Sequence, residues 1–300
     1  MRGYLACDIG ASALRVGFFD EEGRLVRWRR QRLPPSLRRG EFERLLLGAL
    51  KDILGKDVAH AVGIGSVGPL DQQRGELLGP VNLKVGRLNL RALIERGLGL
   101  GLSLLNDCKA AALGEFHWAW RARGYRFLVY VGIGTGIGGG VIEDGRLLLG
   151  RRGNASEVGH MTLVRDGRPC GCGGRGHWEA YCSGLNLPLY FAEWSAGARA
   201  YAGARELLQA AKRGEPSAQR FIEHIKDLNA LALSNLCNLY DPELIVLGGG
   251  VMRGNARLLL RGLRDRMSGV LAGRVGIRPS ALGELAVLRG AIVPLLKGSQ

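Results

Sequence analysis

The sequence lacks any uninterrupted apolar run of the ~18 residues that a membrane-spanning helix requires. Its N-terminus enters a strand pattern at once, without the basic, apolar and small-residue layout of a secretory signal. The six cysteines do not form a disulfide framework, because Cys7, Cys108, Cys182 and Cys237 are scattered singly along the chain. These absences predict a globular, cytoplasmic protein that does not associate with membranes.

Acidic residues are few relative to basic ones, at 27 against 42, and the net charge is +15. A field of this sign attracts polyanions such as nucleic acids. The arginines are nevertheless spread along the chain, with only short clusters such as residues 27–30, and no nucleic-acid recognition motif accompanies them. The sequence therefore predicts a solvated arginine-rich surface, and no nucleic-acid partner is expected.

The opening of the chain and a stretch near its middle follow one pattern. Residues 3–30 and residues 126–147 each have the pattern of a strand, a small-residue turn, a second strand and a hairpin into a third. Two copies of such a unit predict a duplicated α/β fold with a cleft between the copies. The turns at residues 9–12 and 132–136 occupy equivalent positions, so both are predicted to face one ligand.

The rest of the chain alternates between helical and strand patterns. Helices are predicted over residues 41–54, 89–96, 108–123, about 185–240 with a break at 214–216, and 289–296. Strands are predicted at residues 61–64, 102–105, 244–247 and 284–288. A length of 300 residues favours two domains. These are an N-terminal lobe over residues 1–115, completed by the C-terminal helix 286–300, and a C-terminal lobe over residues 116–285.

A short stretch of the C-terminal lobe concentrates side chains that bind metals. Four of them fall within 18 residues: His160, Cys170, Cys172 and His177. Thiolates and imidazoles in a four-ligand site are typical of structural zinc. The glycines at 171, 173, 174 and 176 favour a tight wrap around a metal. A glycine-rich turn with two incidental thiols is the alternative, whereas a disulfide between these two cysteines is disfavoured by their closeness in sequence.

Taken together, the motifs resemble those of the ROK family of sugar kinases, in the actin, sugar-kinase and Hsp70 superfold. The resemblance covers nearly the whole chain in order: Asp8-x-Gly10, Gly65 to Asp71, Asn106-Asp107 with residues 110–115, Gly132 to Gly140, Glu157-x-Gly159-His160, residues 170–179 and Gly248 to Gly250. It implies a duplicated ribonuclease H-like fold of two lobes with a cleft between them. The metal loop is the most specific of these motifs.

The resemblance also implies roles for individual residues. Asp107 is expected to be the catalytic base that takes the proton from a sugar hydroxyl. The remaining hydroxyls are expected to bind Asn106, Glu157, His160 and Glu179, with His160 also a zinc ligand. For Asn106-Asp107 taken alone, a helix N-cap is the competing interpretation.

The nucleotide is expected to bind the two glycine turns and a third glycine motif. The residues implied at the ATP phosphates are Gly10, Ala11, Ser12, Gly134, Thr135 and Gly136. Gly248, Gly249 and Gly250 are expected to pass close to the adenosine. Asp8 is expected near Mg2+, through water, because that ion dehydrates reluctantly. The resemblance further implies a homodimer.

Five residues depart from the family pattern. Ser12 replaces the usual threonine, and Ala13 replaces the lysine that often follows it, so the phosphate contacts are expected to differ in detail. Lys109 replaces a common asparagine beside the expected base. His177 replaces a third cysteine, which keeps four ligands but makes metal binding more sensitive to acid. Ser156 replaces a glycine next to Glu157, which leaves the identity of the sugar open.

The leading hypothesis is an ATP-dependent hexokinase or glucokinase that phosphorylates the 6-hydroxyl of glucose or a related hexose. The alternative within this class is an N-acetylglucosamine or N-acetylmannosamine kinase. Two further alternatives, from outside the kinases, are a sugar-responsive ROK regulator and a non-catalytic sugar-binding protein. A regulator of this family carries a helix-turn-helix domain before the first glycine turn. Asp8 lies almost at the start of the sequence, so no such domain is expected.

Overall fold

The computed structural model of the chain describes residues 1–34, 36–80, 83–197, 199–268 and 275–296. The chain divides into two compact units. The first consists of residues 1–124, 140–155 and 284–300, and the second of residues 125–139 and 156–283. Residues 140–155 thus group with the first unit, although the sequence-based division at residues 115 and 116 assigns them to the second lobe.

The strands are β1 (Arg2–Ile9), β2 (Ala13–Asp20), β3 (Leu25–Arg32), β4 (Val58–Ser66), β5 (Leu70–Asp71), β6 (Glu76–Leu78), β7 (Arg87–Asn89), β8 (Gly101–Asn106), β9 (Leu128–Ile133), β10 (Ile137–Glu143), β11 (Arg146–Leu147), β12 (Leu244–Gly248) and β13 (Gly276–Pro279). The helices are α1 (Arg39–Leu54), α2 (Leu90–Leu98), α3 (Asp107–Glu115), α4 (Glu179–Cys182), α5 (Asn186–Trp194), α6 (Ala204–Lys212), α7 (Pro216–Tyr240), α8 (Ala256–Leu260), α9 (Leu263–Arg266) and α10 (Ala286–Ala291). Helix α3 continues through a π-helical turn and a 3-10 turn to Arg123.

Two five-stranded sheets have the same strand order, which confirms the predicted duplication. The first runs β3-β2-β1-β4-β8 and the second β11-β10-β9-β12-β13. In each, a meander of three strands is followed by two strands added beside its first member. β1 pairs with β2 in antiparallel and with β4 in parallel, and β12 lies parallel to both β9 and β13. The carboxyl ends of parallel strands meet at one edge of a sheet, which is where open α/β sheets bind ligands.

The core of the first unit forms because apolar residues recur at helical and strand spacing. Helix α1 buries Phe42, Leu46, Leu50 and Ile53, spaced three or four residues apart so that they share one face. Each such side chain contributes roughly 1.5–3 kcal/mol when it leaves water. The other side of the sheet is covered by α10, whose Leu288 packs in a cluster with residues of β1 and β2.

The strand predicted at residues 284–288 is wrong. Residues 283–285 form a 3-10 turn and α10 follows, while the last strand of the second sheet is β13, earlier in the chain. A short apolar run does not distinguish a strand from a buried helix by periodicity. The tight approach of α10 to α3 favours the helix, because a Cβ on Gly290 would overlap the carbonyl of Ala110.

The helical segment predicted over residues 185–240 has two breaks rather than one. The predicted break is confirmed at Gly214, which has φ of 90° and separates α6 from α7. The second lies between α5 and α6, where Ala196 and Gly197 have φ of 52° and 78°. Backbone in this left-handed region ends a helix. Among the described helices, none has the length and the apolar character needed to cross a membrane.

Candidate functional site

The four predicted metal ligands come together in the second unit. Their ligand atoms all lie within 4.8 Å of one another. Cys170 Sγ is 3.8 Å from His160 Nδ1, and Cys172 Sγ is 3.2 Å from His177 Nδ1. Tetrahedral zinc with bonds of about 2.1 Å to nitrogen and 2.3 Å to sulfur separates its ligand atoms by roughly 3.4–3.8 Å. The donor set therefore suits a zinc ion, and shifts of about 1 Å or less bring the four ligand atoms to this spacing.

The loop around these ligands is shaped by glycines. Cys170 N–H donates to the carbonyl of Gly174 at 2.8 Å, and Gly173, with φ of 93°, returns a hydrogen bond to the carbonyl of Cys170 at 3.0 Å. Gly176 has φ of 71°, and a Cβ there would overlap the carbonyl of Val164. Only glycine meets both demands at residue 176 without strain.

Burial changes the chemistry of one thiol in this cluster. Desolvation, followed by the neighbouring Cys172, raises the pKa of Cys170 to about 11. Without a cation the thiol is therefore protonated at neutral pH. A bound divalent ion would stabilise the thiolate in exchange for a released proton.

The two acids that flank the cluster occupy different environments. Glu157 is exposed and directly precedes a 3-10 turn over residues 158–160, which carries His160. Glu179 is half-buried at the start of α4, and its Oε2 accepts the backbone N–H of Ile137 at 2.7 Å. This partner lies 42 residues away in sequence, and no local pattern indicates it.

Ser156 adopts a conformation that suits glycine. Its φ is 66°, and its buried Oγ has no hydrogen-bond partner among the described residues. A left-handed conformation costs about 1–2 kcal/mol for a residue with a side chain, and an unsatisfied buried hydroxyl adds roughly 1 kcal/mol. The predicted family glycine at this position is thus explained by backbone geometry.

We expect Ser156→Gly to increase the free energy of unfolding by about 1 kcal/mol, after the extra entropy of an unfolded glycine is subtracted. Urea unfolding of the zinc-loaded protein measures the change. Ser195→Gly is the control, because Ser195 has φ of −90° and is expected to lose stability on the same substitution. Equal losses for both variants would contradict the strain argument.

The predicted catalytic pair lies at the junction of β8 and α3 in the first unit. Asn106 Oδ1 accepts the backbone N–H groups of Cys108 and Lys109 at 3.0 and 3.3 Å, so the helix-cap interpretation is confirmed for Asn106. Asp107 is the first residue of the helix, and its Oδ1 accepts the N–H of Cys108 at 2.8 Å. Lys109 is almost fully buried, with 1% of its surface exposed.

The two glycine turns lie at equivalent places in their sheets, after β1 and after β9, but they close with different hydrogen bonds. In the first unit Gly10 N–H donates to the carbonyl of Ala13 at 3.0 Å, and in the second Gly134 N–H donates to the carbonyl of Gly136 at 2.9 Å. Each turn leaves a hydroxyl-bearing residue exposed, Ser12 in one and Thr135 in the other. Ala11, between Gly10 and Ser12, is half-buried.

The third glycine motif packs against the end of β9. Gly249 has φ of 91°, and a Cβ there would overlap the carbonyl of Ile133. A Cβ on Gly248 would overlap the hydroxyl of Tyr130. Gly250 is exposed, and a Cβ there would meet nothing within 4 Å. Backbone packing thus accounts for the first two glycines, and the third is open to solvent.

Asp8 is buried and has a partner that the motif analysis missed. Arg15 Nη1 donates to Asp8 Oδ2 at 2.6 Å, and the two residues face each other across the β1–β2 pair. Burial raises the pKa of Asp8, while the charge and hydrogen bond of Arg15 oppose this shift. The hairpin register could have revealed Arg15, since it lies seven positions after Asp8 across a tight turn.

Comparisons with known proteins agree with this architecture. Residues 4–295 match the model of the ROK family. The glucokinase of Aeropyrum pernix is 34% identical over 273 residues, which cover 85% of this chain and 84% of that protein. The structure of a ROK hexokinase from Thermus thermophilus is 31% identical with a TM-score of 0.80, covering 96% of each chain.

A further structure resembles the chain over nearly the same length. It is a ROK glucokinase from Streptomyces griseus in complex with glucose and AMPPNP, with 29% identity and a TM-score of 0.82. It covers 96% of this chain and 97% of its own. With the duplicated sheets, the Asn106-Asp107 junction and the Cys/His cluster, these matches lead to one conclusion: the chain belongs to the ROK family.

Proposed function

We propose that the protein is an ATP-dependent glucokinase that transfers the γ-phosphoryl group of ATP to the 6-hydroxyl of glucose. The observation that carries this proposal is the alignment of almost the whole chain with glucokinases, one of which binds glucose and an ATP analogue. The chain has the residues implied for these roles: carboxylate, amide and imidazole side chains for the base and the sugar, and small or hydroxyl-bearing residues for the phosphates.

Asp107 would act as the general base. A carboxylate accepts the proton of a sugar hydroxyl as that oxygen attacks phosphorus, and phosphoryl transfer otherwise needs mainly positioning and neutralisation of charge. The helix that Asp107 begins contributes a positive dipole end, which favours a negative charge at this position. Capping by Asn106 fixes the start of this helix and so the direction of the base.

The acids beside the metal loop would hold the other sugar hydroxyls. The carboxylates of Glu157 and Glu179 accept hydrogen bonds from hydroxyl groups. His160, in the same loop, would bind a further hydroxyl through its imidazole ring. His160, Cys170, Cys172 and His177 would hold zinc, which stabilises the loop rather than reacting. The zinc therefore serves to position Glu157 and His160.

Asp8 and Arg15 would act at the binding site of ATP, the phosphoryl donor. Asp8 would hold Mg2+ through water, and this ion would neutralise charge on the transferred phosphate. The buried Nε of Arg15 has no hydrogen-bond partner in the described part of the chain, although Glu284 lies 3.8 Å away. We propose that this guanidinium contacts a phosphate of ATP while it also keeps Asp8 ionised.

Arg15→Met should move the acidic limb of the pH profile of kcat/KM for ATP to higher pH. The substitution removes the charge and the hydrogen bond that lower the pKa of Asp8, so Asp8 becomes protonated at higher pH than in the wild type. Arg15→Lys keeps a charge and should shift the limb less. Arg29→Met, at an exposed position of β3, is the control and should leave the limb in place. An unshifted limb in Arg15→Met would contradict the role given to this pair.

A coupled assay of ADP release over a panel of sugars tests the proposed function. The panel contains glucose, mannose, fructose, N-acetylglucosamine and N-acetylmannosamine, each with MgATP. Glucose is expected to give the highest kcat/KM. A preference for an N-acetylated sugar would assign the alternative activity, and no turnover on any sugar by zinc-loaded protein would exclude a kinase. The homodimeric state and the cytoplasmic location stay predictions.

A further inference from the structure

The glycine turn of the second unit, residues 134–137, is bound to the segment that follows the metal ligands. Glu179 Oε2 accepts the N–H of Ile137 at 2.7 Å. A Cβ on Gly136 would overlap the same carboxylate, so turn and carboxylate are in direct contact. A carboxylate that accepts a backbone N–H makes one of the stronger hydrogen bonds in proteins.

Two further hydrogen bonds connect the same pair of segments. Gly184 N–H donates to the carbonyl of Gly134 at 2.7 Å, and Leu185 N–H donates to the carbonyl of Thr135 at 3.2 Å. Both donors lie within three residues of the end of α4. Helix α4 and the residues that follow it thus hold the start, the middle and the end of the glycine turn.

The other end of this segment is fixed by the metal cluster. His177, a metal ligand, lies two residues before Glu179, and Cys170 Sγ is 3.9 Å from Glu179 Oε1. Between them, Trp178 is fully buried, and its indole N–H donates to Asn229 Oδ1 of α7 at 2.8 Å. No flexible linker separates the ligand from the carboxylate.

We propose that Glu179 is a positioning residue that couples the metal loop to the glycine turn, so that zinc binding raises the affinity for the nucleotide. This inference rests on the proposed function, because it assigns residues 134–136 to the donor phosphates. It gives Glu179 a second role beyond sugar binding. Loss of zinc frees His177, which releases Glu179 and lets the turn lose the geometry that binds phosphate.

Binding of MgADP without sugar tests this coupling, by calorimetry on the zinc-loaded wild type, Glu179→Ala and Glu179→Gln. The alanine variant loses the partly exposed, charge-assisted hydrogen bond between Ile137 and residue 179. We therefore expect it to bind MgADP about tenfold more weakly. The glutamine amide oxygen still accepts the N–H of Ile137, so Glu179→Gln should stay within about threefold of the wild type. Wild type stripped of zinc should resemble the alanine variant. Equal affinity in all four proteins would overturn the proposal.

Hydrogen exchange of residues 132–138 in the absence of any nucleotide separates this proposal from the proposed function. Exchange should rise in Glu179→Ala and in zinc-stripped protein, while β12 keeps its protection. Glu206→Ala is the matched control, because Glu206 is an exposed glutamate of the same unit that accepts the N–H of Ala202 at 2.8 Å. It should change neither exchange nor affinity.

Each outcome of these measurements is informative. Unchanged exchange of the turn after zinc removal would overturn the coupling, even if Glu179→Ala does not fold. A wild type that fails to bind MgADP, with exchange that still responds to zinc, would contradict the proposed function and the predicted effect on nucleotide affinity, while the structural coupling between the metal loop and the glycine turn would stand. A general rise of exchange across the second unit would assign Glu179 a purely structural role and overturn the proposal.

Discussion

Asp107→Asn should lower kcat for glucose phosphorylation by about 1,000-fold, within the 100- to 10,000-fold range typical of a general base. The amide cannot take up the proton of the attacking hydroxyl. It retains an oxygen in the place of Oδ1, which accepts the N–H of Cys108 at 2.8 Å, so the start of α3 should survive. The Kd for glucose, measured by calorimetry, should change by less than about tenfold.

Two comparisons make this result specific. Asp52→Asn removes an exposed carboxylate from α1 and should keep wild-type kcat. Thermal unfolding of Asp107→Asn should match that of the wild type, which excludes misfolding as the cause. A kcat within tenfold of the wild type would remove Asp107 from the role of base.

Cys170→Ser should reduce zinc, measured by elemental analysis, from about one ion per chain to almost none. The serine hydroxyl is a poor ligand, and the remaining three side chains do not complete a tetrahedral structural site. Glu157 and His160 then lose their fixed positions, and misplacement of binding groups by about 1 Å can lower the rate by about 100-fold. We expect a loss of activity of at least this size, together with a lower Tm.

Cys237→Ala is the matched control for the metal prediction. Cys237 is a buried cysteine of the same unit, on α7, and is not part of the cluster. Its substitution leaves a small cavity and should lower Tm modestly while zinc content stays at the wild-type level. Full zinc content in Cys170→Ser would show that the cluster is not the binding site.

Motifs with strong local signals were predictable. The four ligands lie within 18 residues, and that spacing alone indicates a metal loop, which the structure brings together. The duplicated strand, turn and hairpin pattern predicted two equivalent sheets, and both have the same strand order. Periodicity also located α1, because Phe42, Leu46 and Leu50 share one helical face.

Partners distant in sequence were not predictable. The hydrogen bond from Ile137 to Glu179 depends on how the start of β10 meets the start of α4, and neither segment carries a pattern that specifies the other. The helix α10 was partly misassigned, since four consecutive apolar residues fit a strand and a buried helix equally well. The pairing of Arg15 with Asp8 was not predicted from a motif, but it was predictable in principle because it follows from the hairpin register.

The way the chain passes between its two units has a consequence for synthesis. The first unit needs residues 284–296, which are synthesised after the rest of this unit, because α10 covers β1 and packs tightly on α3. A nascent chain that has reached only residue 124 therefore exposes the apolar surface that α10 later covers. Premature termination before residue 284 should therefore yield an aggregation-prone product. Relocating residues 284–296 ahead of residue 1 would let the first unit fold earlier during synthesis.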